Sequence, residues 1–294
     1  MAAQEEEKNT ENNDTLWYFA IGSMMNPTCM KVRNISVLES HPGEILDHKL
    51  YFFSSQGFAE ALPSLGNSFH GVLHKIDKEN MEKLDQIEQG YIRVPAKVKL
   101  YNDKDDNEEL VDACVYTRGN DKERNPDVDK PPSERYLRIM IEGAKHYGVK
   151  KEYVDFLENH KCIPRPKPEE FQSMGDIPED AKTMTMEEVR KGNGKDGNPL
   201  YFSVNGKVLR CILDPEDPDF LKARQWFDRF PQSHFTELWL SKQMYDPKYG
   251  TPEKFEDCTR EHCEYMEHVV HSFGQSHQWE VFARLDRTWK ESDP

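Results

Sequence analysis

The sequence predicts an α+β chain in two units: a small β-barrel with helices, then a smaller α+β unit. Three observations predict it. At 294 residues the chain is long for one compact core and comfortable for two. Short apolar runs broken by turn signals fill residues 15–118, whereas helical periodicity dominates afterwards. Between the two halves lies "PRPKPEEFQSMGDIPEDAK", rich in proline and charge, which reads as a linker over 164–182. The expected layout is therefore a disordered acidic tail at 1–14, a first domain at 15–163, the linker, and a second domain at 183–290.

In chain order, "LWYFAIGS" reads as a first strand, "HKLYFFSS" as a second and "FHGVLHKI" as a third. "HPGE" at His41 reads as a turn between strands. "DKENMEKLDQIEQG" places Met81, Leu84 and Ile87 at helical spacing, with Gly90 as the stop. "IRVPAKVKLY" and "LVDACVYT" flank the hydrophilic "NDKDDNEE", a hairpin signal, and Pro95 suits an edge position or a bulge. "PPSERYLRIMIEGAKHYGV" reads as a helix capped by Ser133, and "KKEYVDFLENH" as a shorter one. In the second half a helix capped by Thr185 precedes the strands of "PLYFSVNGKVLRCI", whose Asn205-Gly206 pair suits a type I′ hairpin turn. "DFLKARQWFDRF", "HFTELWLSKQMY" and "CTREHCEYMEHVVHSF" follow as helices, then "WEVFARL" as a last strand.

Composition narrows the function. A formal net charge of -15 opposes a polyanionic partner, so nucleic-acid binding is not expected. No run approaches the roughly 20 apolar residues of a membrane span, and "MAAQEEEKNTENND" lacks the parts of a signal peptide. The six cysteines form no CxxC pair, which suits reduced thiols and a cytoplasmic location.

"YFAIGSMMNP", "FFSSQGFAEALPS", "FHGVLHKIDKENMEKLDQIEQGY" and "PPSERYLRIMIEGAKHYGVKKEYVDFL" occur in the order seen in γ-glutamylcyclotransferases. This resemblance covers about Thr15 to His160. It implies a small mixed barrel with crossing helices, a homodimer, and release of 5-oxoproline from a small-molecule γ-glutamyl substrate without metal or cofactor. In that reaction the substrate's own α-amine attacks its γ-carbonyl and expels the neighbouring amine. Holding a tethered nucleophile in attack geometry can supply about 7–11 kcal/mol. A carboxyl between the two nitrogens can then move the proton from one to the other.

By motif, the resemblance implies Glu88 in "LDQIEQGY" as the catalytic acid/base. It implies Tyr18, Phe19, Ala20, Ile21, Gly22 and Ser23 as a substrate loop offering backbone N–H groups, and Tyr91 and Tyr136 as pocket tyrosines. Asp85, one helical turn before Glu88, is expected to raise its pKa if both are partly buried. Two departures stand out. Ile21 and Met24 stand where the family has Tyr and Asn, and Gln89 separates Glu88 from Gly90. The alternative reading is a cyclotransferase fold without catalysis, serving as a binding or scaffold module, with the second unit contacting a partner or haem.

"MTMEEVRKGNGKDGNPLYFSVNGKVLRC" resembles the start of a cytochrome b5-like domain of the progesterone-receptor-membrane-component type. The resemblance fades where haem-pocket segments should follow, so it implies a fold and no ligand residue. Cys258, His262, Cys263, His268 and His271 read as part of one helix with ordinary surface histidines rather than as a zinc site, because no partner ligand pair appears.

Overall fold

The computed structural model describes residues 15–53, 57–88, 90–101, 110–118, 130–229, 245–252, 257–273 and 278–286. The expected acidic tail, the turn between the fourth and fifth strands, Gln89 and nearly all of "HFTELWLSKQMY" lie outside them. The chain divides into two compact units, Met1–Arg165 and Pro166–Pro294.

In the first unit β1 (Thr15–Ala20), β2 (Glu39–Phe53), β3 (Phe58–Asp77), β4 (Ile92–Leu100) and β5 (Leu110–Thr117) form a closed barrel in the order β1-β3-β2-β4-β5. β5 closes it by pairing parallel to β1 at Tyr18 and Cys114. Every other pairing is antiparallel, so the barrel is mixed, as the resemblance implies. Alternation does the sorting: Phe19, Ile45, Leu73, Val98 and Val115 all point into a fully buried core.

Two expectations for the barrel are corrected. "HPGE" is not a turn: His41 to Glu44 run straight through β2, paired with Leu73 to His70 of β3. Long-range pairing thus overrides the local turn signal of Pro42-Gly43. The second and third strands are also far longer than their apolar runs, forming one hairpin whose register slips between Leu46 and His48. Asp47 sits there at φ 55°, and its carboxylate accepts the Gly66 N–H at 2.9 Å. Pro95 fits as expected: β4 pairs with β2 only over Val98–Leu100, so the proline occupies the stretch paired on one side.

Helices pack on this barrel. α1 (Pro27–Val32) is capped by Asn26, whose side chain accepts the Thr28 N–H. α2 (Lys78–Ile87) is capped by Asp77 and ends three residues before Gly90. α3 (Glu134–His146) begins at the predicted Ser133 cap, and α4 (Lys151–Glu158) follows. α3 crosses the 3-10 turn Ser23–Met25 at Gly143, where a Cβ would stand 2.5 Å from the Met25 carbonyl carbon and oxygen. Backbone cannot swing aside as a side chain can. Gly143→Ala is therefore expected to destabilise the first unit by about 1–3 kcal/mol, read as an earlier urea midpoint with an unchanged slope.

The second unit has a four-stranded sheet of order β6-β9-β8-β7. Its strands are β6 (Thr183–Met184), β7 (Tyr201–Val204), β8 (Lys207–Cys211) and β9 (Trp279–Leu285). α5 (Met186–Lys191) begins at Thr185, where Glu188 completes a capping box. Asn205 and Gly206 both have positive φ, 48° and 76°, as a type I′ turn requires. α6 (Pro218–Arg229) and α7 (Arg260–Phe273) complete the unit.

The expected linker is corrected in part. Residues 166–182 belong to the second unit, because Phe171 and Met174 pack on its core and Ser173 and Met174 bind the buried Glu267 carboxylate. Cys258 precedes α7 rather than sharing it, and His262 is not a surface histidine but 2% exposed, stacked on Tyr249. No helix among the described residues is long and apolar enough to cross a membrane.

Candidate active site

The strand β1 delivers the chain to Gly22, and the loop then tightens into the Ser23–Met25 turn. Tyr18, Phe19, Ala20 and Ile21 are all buried in the barrel core. Phe19, Ala20 and Ile21 therefore offer the loop their backbone, while their side chains fix its position. Met24 and Met25 are buried too, at 2% and 0% exposure, so the apolar residue at position 24 anchors the loop instead of lining it.

Three groups clamp the turn from behind. Asn26, itself buried, donates its side-chain amide to the Ile139 carbonyl of α3 at 3.2 Å. Gly143 lets α3 close on the turn. His74 of β3, fully buried, reaches the Met24 carbonyl through Nε2 at 3.1 Å and Ser40 Oγ through Nδ1 at 2.8 Å. A carbonyl only accepts, so Nε2 carries the proton and the Ser40 hydroxyl donates to Nδ1.

Burial holds the His74 pKa down to about 4, from an ordinary 6.5. Below pH 6.5 the unfolded chain takes up a proton that the folded barrel refuses. Stability is then lost progressively from about pH 6.5 to about pH 4, by about 3 kcal/mol in all. Urea unfolding at pH 7 and pH 4 should show this loss in the wild type and lack it in His74→Gln.

Glu88 lies at the C-cap of α2, where its N–H donates to the Leu84 carbonyl and its own carbonyl accepts the Tyr91 N–H at 3.0 Å. Burial raises its carboxyl pKa, and the Arg33 guanidinium partly opposes the rise. The expectation for Asp85 is corrected. Its carboxylate accepts the Tyr116 hydroxyl at 2.6 Å and pairs with Arg93 at 3.1 Å, and it is not what lifts Glu88. A one-turn spacing put the two on one helix, but the helix ends between them at Ile87.

The Glu88 carboxylate lies close enough to two phenols to act on them electrostatically. Burial raises the pKa of Tyr18, and the charge of Glu88 adds to the rise. Tyr136 is raised likewise by burial, with smaller contributions from Tyr91 and Glu88. The Tyr136 hydroxyl accepts the Ala59 N–H at 3.2 Å and interacts with the Ser23 N–H. It also lies where a Cβ on Gly22 would stand, 2.3 Å away, so only glycine lets the loop and this hydroxyl share the space. Glu88, Tyr18, Tyr91, Tyr136 and the Gly22–Ser23 backbone thus meet at one end of the barrel. Arg33, Ala59 and His74 join them: Arg33 lies outside the quoted runs, and Ala59 and His74 lie inside two of them but were not singled out.

A separate cleft of about 610 Å³ opens in the second unit, lined by Phe171, Ser173, Asn205, Lys207 and Glu267 among others. Its buried charges, Lys207 and Glu267, are already spent on one another. Among the described residues no cluster of three or more His, Cys, Asp or Glu is arranged to hold a metal ion.

Residues 68–157 match the model of the AIG2-like family. A γ-glutamylcyclotransferase of Homo sapiens is 28% identical over 160 residues, covering 50% of this chain and 79% of that protein. The Mus musculus γ-glutamylcyclotransferase is 26% identical over 161 residues, covering 50% and 80%. Among solved structures, a γ-glutamyl cyclotransferase is 24% identical with a TM-score of 0.44, covering 57% of this chain and 95% of its own. The cytochrome b5-like resemblance of the second unit gains no such support and rests on its motif alone. Over its amino-terminal half this chain is similar to γ-glutamylcyclotransferases, and within that half residues 68–157 match the AIG2-like family.

Proposed function

We propose that the first unit is a γ-glutamylcyclotransferase, converting a γ-glutamyl amide to 5-oxoproline and a free amine with Glu88 as general acid/base. The observation that carries this reading is a half-buried carboxyl with a raised pKa, close to two tyrosines and to a glycine loop. The α-ammonium of the substrate gives its proton to the Glu88 carboxylate. The freed amine attacks the γ-carbonyl, closing the five-membered ring, and the amide bond between that carbonyl carbon and the neighbouring residue's nitrogen breaks. Glu88 returns that proton to the leaving nitrogen and relays the second proton that the ring nitrogen sheds, so the amine departs as an ammonium and charge and atoms balance with no outside reagent. A raised pKa suits both steps, since the group must accept and release a proton near neutrality.

One observation favours the alternative, a binding module without turnover. The Ala59 N–H, and in part the Ser23 N–H, are engaged by Tyr136, leaving fewer donors for an oxyanion. The two readings separate on 5-oxoproline release from a panel of γ-glutamyl dipeptides, γ-glutamyl amines and glutathione. Turnover of any class supports the enzyme; binding without release by the wild type supports the module.

A further inference from the structure

We propose that Arg118 is a specificity residue of this site, taking the carboxylate of the leaving amino acid, so that γ-glutamyl amino acids are favoured over γ-glutamyl amines. This rests on the cyclotransferase reading of the same site and names its substrate class.

Arg118 follows the end of β5, and its backbone is fixed by a buried acid. The Glu60 carboxylate, 2% exposed, accepts the Arg118 N–H at 3.0 Å and the Thr117 hydroxyl at 2.9 Å on the same oxygen. The residue before it, Ala59, donates its N–H to the Tyr136 hydroxyl. Two successive residues of β3 therefore hold both the pocket tyrosine and the root of Arg118.

From that root the guanidinium lies over the Tyr91 ring, 5.1 Å from its centroid. Tyr91 in turn donates its N–H to the Glu88 carbonyl. Contacts thus lead from the Gly22–Ser23 loop, which would hold the glutamyl end, through Tyr136 and Tyr91 to Arg118, and Tyr91 also neighbours Glu88. A substrate whose scissile nitrogen sits at Glu88 sends its leaving residue toward Arg118. Among the described residues no carboxylate is ion-paired with this guanidinium, which is half-buried. Stacking on an aromatic face holds the planar fork in one orientation, and that fork matches a carboxylate with two parallel N–H bonds.

The test compares γ-glutamyl-alanine with γ-glutamyl-ethylamine, which differ only by the carboxylate. In the wild type kcat/KM should favour the alanine compound by roughly tenfold to a hundredfold, carried mainly by KM. In Arg118→Gln the ratio should fall to within about threefold, and Arg118→Lys should lie between. Both variants keep the backbone N–H that Glu60 accepts, and thermal unfolding followed by circular dichroism checks their fold. A wild-type ratio near one, or an equal loss on both substrates in Arg118→Gln, overturns the proposal. Calorimetric binding of the two compounds to wild type and Arg118→Gln separates it from the reaction itself. If neither compound is turned over but the alanine compound binds preferentially and only with Arg118, the specificity assignment stands while the cyclotransferase reading falls. Equal binding, or none, overturns the assignment.

Discussion

Glu88→Gln is expected to lower kcat for 5-oxoproline release by about 10²–10⁴-fold while leaving the fold intact or slightly more stable. The amide is nearly the shape of the acid and leaves the backbone bonds of residue 88 to Leu84 and Tyr91 in place, but it cannot take the proton of the α-ammonium. The stability half of the expectation follows from the direction of the pKa shift. A carboxyl whose folded pKa is raised binds its proton more tightly in the folded state than in the unfolded chain. Its contribution to stability is present at low pH and is lost as pH rises through the raised value. At neutral pH the ionised Glu88 is a cost to the fold that a neutral glutamine removes, and Arg33 offsets only part of it. Loss of activity with an unchanged or raised Tm is the signature of a functional carboxyl; loss of both would mark Glu88 as structural. The acid limb of the wild-type kcat/KM profile should lie above the ordinary carboxyl value of 4.5 and vanish in the variant.

Much of the fold was written in local pattern. Ser133, Thr185 and the Asn205-Gly206 pair mark their elements because capping and tight turns are decided within a few residues. The long β2–β3 hairpin was harder to read. Its exposed middle carries little apolar alternation, and its Pro42-Gly43 pair imitates a turn that long-range pairing overrides. The same division holds at the site. Glu88, Gly22 and Tyr136 were legible because each sits in a recognisable run. His74, Arg33 and Arg118 were not, because what matters about them is a neighbour distant in sequence: Met24 for the first, Glu88 for the second, Tyr91 for the third. Asp85 shows the converse error, in which correct spacing along a helix pointed to a contact that the helix end removes.

Glu267→Ala is expected to be the most damaging single change in the second unit, at about 3–5 kcal/mol. The Glu267 side chain on α7 is 6% exposed, and its partner Lys207 at the start of β8 is 12% exposed, with 2.7 Å between charges. The remaining lone pairs are also filled. Asn205 donates at 2.6 Å, the Ser173 hydroxyl at 2.8 Å and the Met174 N–H at 3.2 Å. Burial alone would raise the Glu267 pKa, but the hydrogen bonds from Lys207, Asn205 and Ser173 outweigh it and hold the carboxyl below its ordinary range. Its contribution to stability is therefore complete above pH 4.5 and is lost as pH falls through the depressed value. Removing the carboxylate leaves the Lys207 ammonium buried without its counter-charge, and frees the 166–182 segment from α7. The cost should thus exceed the worth of the pair itself, which desolvation of two ions makes small. Replacing both charges by apolar residues of similar volume, Glu267→Leu with Lys207→Met, should recover much of the loss. Calorimetry of the full chain reads this as a lowered unfolding transition in Glu267→Ala and its partial return in the double variant. A double variant as unstable as the single one would mean that the network acts by joining the 166–182 segment to the turn and the helix, rather than by cancelling charge.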